Sequence, residues 1–443
     1  MKNSQSSNKE SALNRRGFVK ASTAAVAGGA LAATLPTGKG VFAASDDKLK
    51  IALIGCGGRG TGAANQALTT NDQGPVELVA MADAFGDRLD SSLNNLKGRH
   101  GDRVKVTEDT KFVGFEAYKK AISLADVVIL TTPPGFRPTH FEEAVRQGKH
   151  VFMEKPVAVD GPGVRKLLAA AQEAKKKNLK VGVGLQRHHQ KGYIETIKRI
   201  HDGAIGDVTS MRCYWNGAGV WTRKRQAGQT EMEYQMRNWY YFVWLCGDHI
   251  DEQHIHNIDV CNWVKDAHPV SAQGMGGRQV RTSKEHGEIY DHHFVEFEYS
   301  DGTRLYSQCR HIPGCWNSVS EYATGTKGSS DINRYIIRGE NQFRHNGRGD
   351  KNPYQQEHDD LFNAIRNNIA FNEAEYGATS SMSSVLGRMC TYTGKKITWD
   401  NAINSQVDTM PKALDWNAEP PTTPNEDGFY DIAMPGVQAN KFV

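Results

Sequence analysis

The residues with the clearest chemical potential are three glycines, spaced as Gly55-x-Gly57-x-x-Gly60 directly after a short apolar run in this 443-residue chain. Glycines at this spacing permit a tight turn, let the backbone approach a pyrophosphate, and start a helix whose N-terminus faces the anion. Gly58 and Arg59 complete the turn. The pattern predicts a dinucleotide-binding loop, with a glycine-rich turn in another kind of α/β protein as the alternative.

A carboxylate, Asp83, ends the next strand-like segment at residues 76–83. In a dinucleotide-binding fold, a carboxylate at this position accepts hydrogen bonds from the adenosine ribose hydroxyls and repels a 2′-phosphate. The sequence therefore predicts NAD as the cofactor rather than NADP. Arg88 is a nearby cation that would favour the opposite choice.

Two further motifs follow strand-like segments. Glu154-Lys155-Pro156 comes directly after an apolar run, and two charges at the end of a buried strand are costly unless they face a cleft. A structural salt bridge is the alternative role for Lys155. A Thr-Thr-Pro-Pro run contains Thr132 and Pro133. A strand that turns through two prolines at its carboxyl end lies where a nicotinamide would bind.

Acids and histidines are concentrated between residues 246 and 263, a pattern that could also indicate a metal site. His254 and His256 are two residues apart, so on a helix they cannot share a face and bind one ion together. We therefore predict no metal site, although an irregular backbone would reopen the question. The titratable residues of this region, with one upstream glutamate, are Glu233, Asp248, His249, Asp251, Glu252, His254, His256 and Asp259.

The elements that must position these groups alternate between strand and helix up to residue 184. Compact runs rich in Val, Ile and Leu suit a parallel sheet that is covered on both faces. Such alternation predicts a doubly wound α/β domain at residues 45–184. The predicted strands are 50–54, 77–82, 126–131, 150–153 and 180–183, and the predicted helices include 139–147 and 163–177.

The pattern changes after residue 184. Partial alternation, with a hairpin signal at Asp301-Gly302, predicts a large open, mostly antiparallel sheet in a second α/β domain at residues 185–400. Residues 401–443 contain five prolines and little periodicity, so we expect an extended tail that wraps the surface or reaches a neighbouring subunit. The strands expected here are 208–214, 294–299, 304–311 and 318–324, and the helices are 255–264, 355–367 and 381–393.

The first 44 residues have the features of a twin-arginine export signal. Arg15-Arg16 precedes Phe18 and Lys20, and an Ala-rich run of about 15 residues leads to small residues at 41–44 where a peptidase could cut. This run is shorter than the roughly 20 residues of a membrane span. The alternative is a disordered, Ala-rich tail. The sequence predicts transport of the folded protein by the twin-arginine machinery to the periplasm or beyond, with no stable membrane span afterwards.

Composition excludes some partners. The formal net charge is only +4, and no block of Lys and Arg with interleaved aromatic residues is present. Nucleic acid is therefore not an expected partner.

Together, the glycine turn, Asp83, the Thr-Thr-Pro-Pro run, the Glu-Lys-Pro motif and the later His-x-x-Asp with Trp263 resemble the Gfo/Idh/MocA oxidoreductases over residues 48–400. The resemblance implies a Rossmann domain followed by an α/β domain whose open sheet often forms an oligomer interface. We therefore expect a homo-oligomer. Two departures stand out, because Glu252 replaces the family's aspartate and Cys246-Gly247-Asp248 replaces its usual glycine triplet.

The resemblance also implies roles for individual residues. Lys155 would contact the reacting hydroxyl and the nicotinamide, and His256 would act as the acid/base with Glu252 on the same helical face. A structural role for His256 is the alternative. The implied cofactor contacts are Gly55, Gly57, Gly58, Arg59, Gly60, Asp83, Thr132, Pro133, Glu154 and Lys155. The candidate substrate residues are Arg187 and His188, which could equally lie on the surface, together with His249 and Tyr290. A glycosidase route would need one further base, for which His249, His254 and Tyr290 are the candidates.

An exported enzyme has no pool of free NAD, so the cofactor would have to stay bound and be regenerated in place. We therefore expect an oxidoreductase that acts on a hydroxyl of a sugar, glycoside or cyclitol with a tightly bound NAD. One alternative is an NAD-dependent glycosidase or lyase that oxidises the sugar transiently before elimination. A second is a sugar-binding protein without catalysis on a Rossmann framework.

Overall fold

The computed structural model describes residues 48–70 and 74–437. The segment interpreted as an export signal, residues 1–44, lies outside the described residues. Within the described part of the chain, no helix has the length and apolar character needed to cross a membrane.

The first sheet has six parallel strands in the order β3-β2-β1-β4-β5-β6, which is the Rossmann arrangement. The central strands β1 and β4 are almost entirely buried, as continuous apolar runs require when both faces are covered. The prediction of a doubly wound α/β unit is confirmed. The strands are β1 (Leu49–Ile54), β2 (Val76–Asp83), β3 (Lys111–Val113), β4 (Val127–Leu130), β5 (His150–Met153) and β6 (Val181–Val183).

Helices cover both faces of this sheet, each connecting one strand to the next. The first begins at Gly58 with Gly57 at its N-cap, directly after the turn that leaves β1. Asp160 caps the last by accepting a hydrogen bond from Gly163 N at 2.7 Å. The helices are α1 (Gly58–Leu68), α2 (Gly86–His100), α3 (Ala117–Ser123), α4 (Arg137–Arg146) and α5 (Gly161–Lys176).

The second sheet has nine strands in the order β14-β13-β12-β11-β7-β10-β9-β8-β15. Neighbours are antiparallel except for β7 and β10, which run parallel. The prediction of a mostly antiparallel sheet is confirmed. The strands are β7 (Val208–Gly217), β8 (Ser271–Gly277), β9 (His292–Glu298), β10 (Arg304–His311), β11 (Ser318–Gly325), β12 (Gly328–Asp331), β13 (Ile336–Gly339), β14 (Phe343–Arg344) and β15 (Ile397–Thr398).

Eight further helices belong to this half of the chain. Two of them, α10 and α12, pack against the second sheet, whereas α11 packs back on α1 and β6. Leu361 and Phe362 of α11 share the Rossmann core with Phe152, so the boundary at residue 184 separates the sheets but not their cores. The helices are α6 (Lys191–His201), α7 (Glu231–Arg237), α8 (Val243–Cys246), α9 (His249–Glu252), α10 (Ile255–Lys265), α11 (Pro353–Arg366), α12 (Ala374–Thr393) and α13 (Trp399–Ile403).

The described part of the tail, residues 404–437, contains neither helix nor strand. It runs over an aromatic cluster that also includes the segment from α7 to α8. Trp416 lies 5.1 Å from Phe85 and 4.5 Å from Phe115, measured between ring centroids. Tyr430 packs edge-on against Phe242 at 5.0 Å. The tail therefore packs against other parts of its own chain.

Candidate active site

A cleft of about 660 Å³ opens at the carboxyl ends of the Rossmann strands. Ligands of doubly wound sheets bind at this edge because the loops that follow the strands converge there. Gly55, Thr131, Glu154 and Gly184 each follow a different strand, Asp83 ends another, and all five line the cleft. The opposite wall comes from the second half of the chain.

The glycine turn has the geometry that a dinucleotide requires. Gly55 has φ +93°, and a Cβ there would overlap the backbone of Thr131 and Thr132. A Cβ on Gly60 would overlap the carbonyl oxygen of Gly55, so this glycine lets helix and strand pack closely. Gly57 has nothing within 4 Å of its Cβ position and lines the cleft, which leaves its backbone open to an anion.

The tight packing at Gly60 gives a direct prediction. Gly60→Ala should force the turn apart and weaken nicotinamide nucleotide binding about tenfold, because overpacking costs about 1–3 kcal/mol and a tenfold loss of affinity corresponds to about 1.4 kcal/mol. The control is Gly98→Ala in α2, where nothing lies within 4 Å of the added methyl group. That change should leave binding unchanged and stabilise the helix by about 0.5–1 kcal/mol. Equal affinities of the two variants in a fluorescence titration would refute the assigned role.

Asp83 lies at one end of the cleft, beside the glycine turn. Its Oδ2 accepts a hydrogen bond from Cys56 N at 2.6 Å, and its Oδ1 accepts one from Phe85 N at 2.9 Å. Burial raises the pKa of Asp83, although these two hydrogen bonds oppose the shift. Arg88 lines the same end, so a carboxylate and a guanidinium both face it.

Arg59 reaches from the glycine turn across to the Glu-Lys-Pro motif. Its Nε lies 2.6 Å from Glu154 Oε1, and its Nη2 donates to Gln66 Oε1 at 2.6 Å. A second carboxylate, Glu357 of α11, is 3.8 Å away, and the guanidinium lies over the ring of Tyr354. These two residues were not predicted, because α11 comes almost 300 residues later in the sequence.

Lys155 extends into the cleft from the end of β5. Its Nζ donates to Glu252 Oε1 at 3.0 Å and also to the carbonyl oxygen of Glu252. An ammonium group has three donors, so one is left for a substrate oxygen. Two roles were considered for Lys155, a structural salt bridge and a charge that faces a cleft. The structure is compatible with both, because Lys155 pairs with Glu252 and also lines the cleft.

His256 lines the same cleft as Lys155, but the expected arrangement with Glu252 is wrong. Glu252 ends α9 and His256 lies in α10, with Gln253 and His254 between the helices. The helix ends there because Gln253 N and His254 N both donate hydrogen bonds to the carbonyl oxygen of His249. The regular helical pattern of hydrogen bonds is therefore interrupted between Glu252 and His256. Both side chains nevertheless face the cleft.

The surroundings of His256 keep its imidazole neutral. Burial, and then the cations of Lys155 and Arg187, lower the pKa of His256 well below its ordinary value. Its Nδ1 is enclosed without a hydrogen-bond partner among the described residues, which leaves Nε2 for the cleft. Trp215 lies nearly parallel to the ring at 5.9 Å. A neutral imidazole beside an ammonium group can accept a proton from a bound hydroxyl.

Thr132 and Pro133 also line the cleft. Thr132 is held by Arg137, a buried residue that was not among the predicted site residues. Its Nη2 donates to Thr132 O at 2.6 Å, and its Nε donates to Glu154 O at 2.9 Å. Arg137 therefore ties together the loops that follow β4 and β5.

The four candidate substrate residues do not line the cleft. Arg187 is buried in an ion pair with Glu321, and His188 Nε2 lies 2.8 Å from Asp259 Oδ2. His249 is bonded to Asp248, while Tyr290 donates its hydroxyl to Ala433 O. Other side chains from the second half of the chain line the cleft, and they are Trp215, Trp221, Arg223, Arg237, Trp239 and Gln253.

Comparison with known proteins identifies the first domain. Residues 49–185 match the Gfo/Idh/MocA model, described as an oxidoreductase family with an NAD-binding Rossmann fold. Inositol 2-dehydrogenase of Azotobacter vinelandii is 34% identical over 208 residues, 45% of this chain and 54% of that protein. The same enzyme of Ralstonia nicotianae is 30% identical over 261 residues, 58% of this chain and 66% of that protein. The chain thus spans between about half and two thirds of the length of these relatives.

Solved structures share the fold of both halves. Aldose-aldose oxidoreductase of Caulobacter crescentus, complexed with glycerol, has a TM-score of 0.62 at 18% identity and covers 80% of this chain and 100% of its own. Scyllo-inositol dehydrogenase of Lactobacillus casei, with NAD(H) and scyllo-inositol, has a TM-score of 0.61 at 20% identity, with the same coverage. The likeness confirms the two-sheet architecture. Residues 49–185 are therefore similar to the NAD-binding Rossmann domain of the Gfo/Idh/MocA oxidoreductases.

Proposed function

We propose that this protein is an oxidoreductase that moves hydride from a hydroxyl-bearing carbon of a sugar, glycoside or cyclitol to NAD. The main support is that Lys155 and a neutral His256 line one cleft with the glycine turn and Thr132. Inositol 2-dehydrogenases among the relatives and a sugar oxidoreductase among the structural neighbours agree with this substrate class.

Each residue has a part in the proposed reaction. His256 Nε2 accepts the proton of the substrate hydroxyl, while the Lys155 ammonium group donates a hydrogen bond to the same oxygen and stabilises the developing alkoxide. Glu252 holds Lys155 in place through its carboxylate, 3.0 Å away. When bound, the nicotinamide supplies the hydride acceptor.

The cleft fits a dinucleotide along its length. Gly57 leaves room for the pyrophosphate at the start of α1, and the Asp83 carboxylate favours the free ribose hydroxyls of NAD over a 2′-phosphate. Gly55, Gly58, Arg59, Pro133 and Glu154 complete the proposed cofactor contacts.

We further propose that the protein is exported by the twin-arginine route and keeps its NAD bound. The Arg15-Arg16 motif supports export, and the tail supports retention. Trp416 packs on Phe85 and Phe115, both of which line the adenosine end of the cleft. Aromatic contacts of this kind close one end of the cofactor site.

Cofactor retention can be tested at Trp416. Trp416→Ala should speed the release of bound nicotinamide nucleotide about 2- to 10-fold, because each aromatic pair contributes roughly 0.5–1.5 kcal/mol. The matched control is Trp399→Ala, since Trp399 stacks on His268 away from the cleft. Release would be followed by dialysis and absorbance, and equal release from both variants would contradict the proposal.

The uncovered face of the second sheet supports a homo-oligomer. Met275 and Phe294 lie opposite each other on β8 and β9, and they are 76% and 36% exposed. Tyr306 of β10 pairs with Glu296, two residues after Phe294 on β9, so its side chain lies on the same face of the sheet. Phe294→Lys should reduce the mass measured by light scattering, whereas Val113→Lys on the other sheet should not. A monomeric wild-type protein would rule out this interface.

The decisive experiment for the function uses the protein as purified from its native compartment. It would be mixed with sugars, glycosides and cyclitols while the absorbance of reduced nicotinamide is recorded. Reduction by one substrate class supports the proposal, and no reduction across the panel overturns it. Release of an aglycone together with solvent deuterium at the carbon next to the oxidised position would show the glycosidase or lyase route instead.

A further inference from the structure

A second cluster of titratable side chains lies beneath the cleft and outside its lining. Asp248, His249 and His293, which we call the Asp-His cluster, are at most 3% exposed. Each offers one ligand atom, and these atoms all lie within 4.8 Å of one another. His293 enters from β9, 44 residues after His249.

The two oxygens of the Asp248 carboxylate each face one histidine of the cluster. Asp248 Oδ1 lies 2.8 Å from His249 Nδ1, and Asp248 Oδ2 lies 3.3 Å from His293 Nε2. A metal ion with bonds of about 2.0–2.1 Å places neighbouring ligand atoms about 3.0–3.4 Å apart. One ligand atom from each of the three residues lies within 4.8 Å of the others, so the side chains would have to move closer together to share one ion.

Imidazole nitrogens at the cluster are poorly satisfied. His249 Nε2 is buried and makes no hydrogen bond among the described residues, and His293 Nε2 has only its 3.3 Å contact with Asp248 Oδ2. The neighbouring His311 adds a second unpaired nitrogen, Nδ1, and its ring stacks on His249 at 4.3 Å. A buried polar atom without a partner costs about 1–3 kcal/mol. A bound ligand at the cluster would account for this cost.

Neighbouring residues form hydrogen bonds with Asp248 and His293, as the residues around a metal site usually do with the metal ligands. Asp248 Oδ2 accepts hydrogen bonds from Tyr290 N at 3.0 Å and from the hydroxyl of Tyr392 at 2.5 Å. His293 Nδ1 lies 3.0 Å from Thr391 Oγ1, which fixes its ring and directs Nε2 towards Asp248. Ligating histidines and carboxylates usually have such partners. Asp248 itself has φ +73°, an uncommon conformation that tends to occur at functional sites.

We propose that Asp248, His249 and His293 bind one divalent transition-metal ion, with Zn²⁺ as the best match for two imidazoles and one carboxylate. The ion would fasten β9 to the segment that begins at Asp248 and leads through α9 to Glu252. It would be a structural ion that takes no part in hydride transfer. The proposal is independent of the function proposed above.

The test measures metal content directly. The full chain would be produced in metal-depleted medium supplied separately with Zn²⁺, Mn²⁺ or Co²⁺, then desalted and analysed by plasma mass spectrometry. We expect about one ion per chain from at least one medium. Asp248→Asn and His293→Gln should lower the metal content at least about tenfold, since even outer-sphere changes cost 10- to 100-fold in affinity.

The matched control is His358→Gln. His358 is equally buried, and neither of its ring nitrogens has a hydrogen bond among the described residues, but it stacks on Phe152 in the Rossmann core. This variant should keep the wild-type metal content. Undiminished metal in His293→Gln, or substoichiometric metal in the wild type from every medium, would overturn the proposal.

A second measurement needs no variant and so does not depend on the variants folding. X-ray absorption of the Co²⁺-loaded wild type should show only nitrogen and oxygen neighbours, with the outer-shell pattern of imidazole. Sulfur in the first shell would place the ion elsewhere and refute the assignment.

Discussion

Replacing His256 or Lys155 by alanine should lower the single-turnover rate of nicotinamide reduction by about 10²–10⁴-fold, the range typical of lost general acid–base catalysis. Without His256 the hydroxyl proton has no neutral imidazole to receive it. Without Lys155 the alkoxide loses its cation, and Glu252 keeps a charge without its partner. Nucleotide affinity, measured separately, should change far less than the rate.

Two controls separate chemistry from folding. His358→Gln removes a buried imidazole outside the cleft, and Lys166→Ala removes a lysine that pairs with Glu142 at the surface. Both should retain the wild-type rate. A His256→Ala variant that folds, binds nucleotide and still reduces it at the wild-type rate would remove this residue from the mechanism.

The same site predicts an unusual pH dependence. Burial and two nearby cations lower the pKa of His256, so its imidazole stays neutral as the pH falls past the ordinary histidine value of about 6.5. The rate at low substrate concentration should therefore hold between about pH 8 and pH 6.5 and decline only in more acidic solution. A rate that halves near pH 6.5 would contradict this environment for His256.

Parts of this site could be predicted because a parallel sheet brings the carboxyl ends of its strands to one edge. Gly55, Asp83, Thr132 and Glu154 lie at the carboxyl ends of separate strands, and each of these strands is visible in the sequence as an apolar run. The strand β3 was missed because it has only three residues and none is fully buried. Local pattern was enough where a strand was either a buried apolar run or long enough to show alternation.

The other features of the site could not be predicted, because they depend on contacts between distant parts of the chain. The break between α9 and α10 arises from backbone hydrogen bonds to His249, which side-chain periodicity does not encode. His249 was considered as a base for the substrate, but it joins His293 of β9 beneath the cleft. Helical spacing separates His254 from His256, and the residues that the fold brings together in space are different ones.

Arg187 is another residue whose partner comes from a distant part of the chain, and removing that partner should have a large effect on the free energy of unfolding. Its position after β6 suggested contact with sugar hydroxyls, yet its guanidinium pairs with Glu321 of β11. Glu321 is fully buried and also accepts hydrogen bonds from Tyr193 and Asn257. Arg187 therefore acts in this structure as half of a buried ion pair.

Glu321→Leu should lower the free energy of unfolding by about 3–5 kcal/mol, because it leaves the buried Arg187 cation without its counter-charge. The double variant Arg187→Met with Glu321→Leu removes both charges and should recover much of this loss. It should still fall short of the wild type, since Tyr193 and Asn257 lose an acceptor at about 1–3 kcal/mol each. Denaturant unfolding of the four proteins gives the coupling energy of the pair. A double variant that is less stable than the Glu321→Leu protein, or an Arg187→Met protein that is as stable as the wild type but has a raised KM, would return Arg187 to the substrate site.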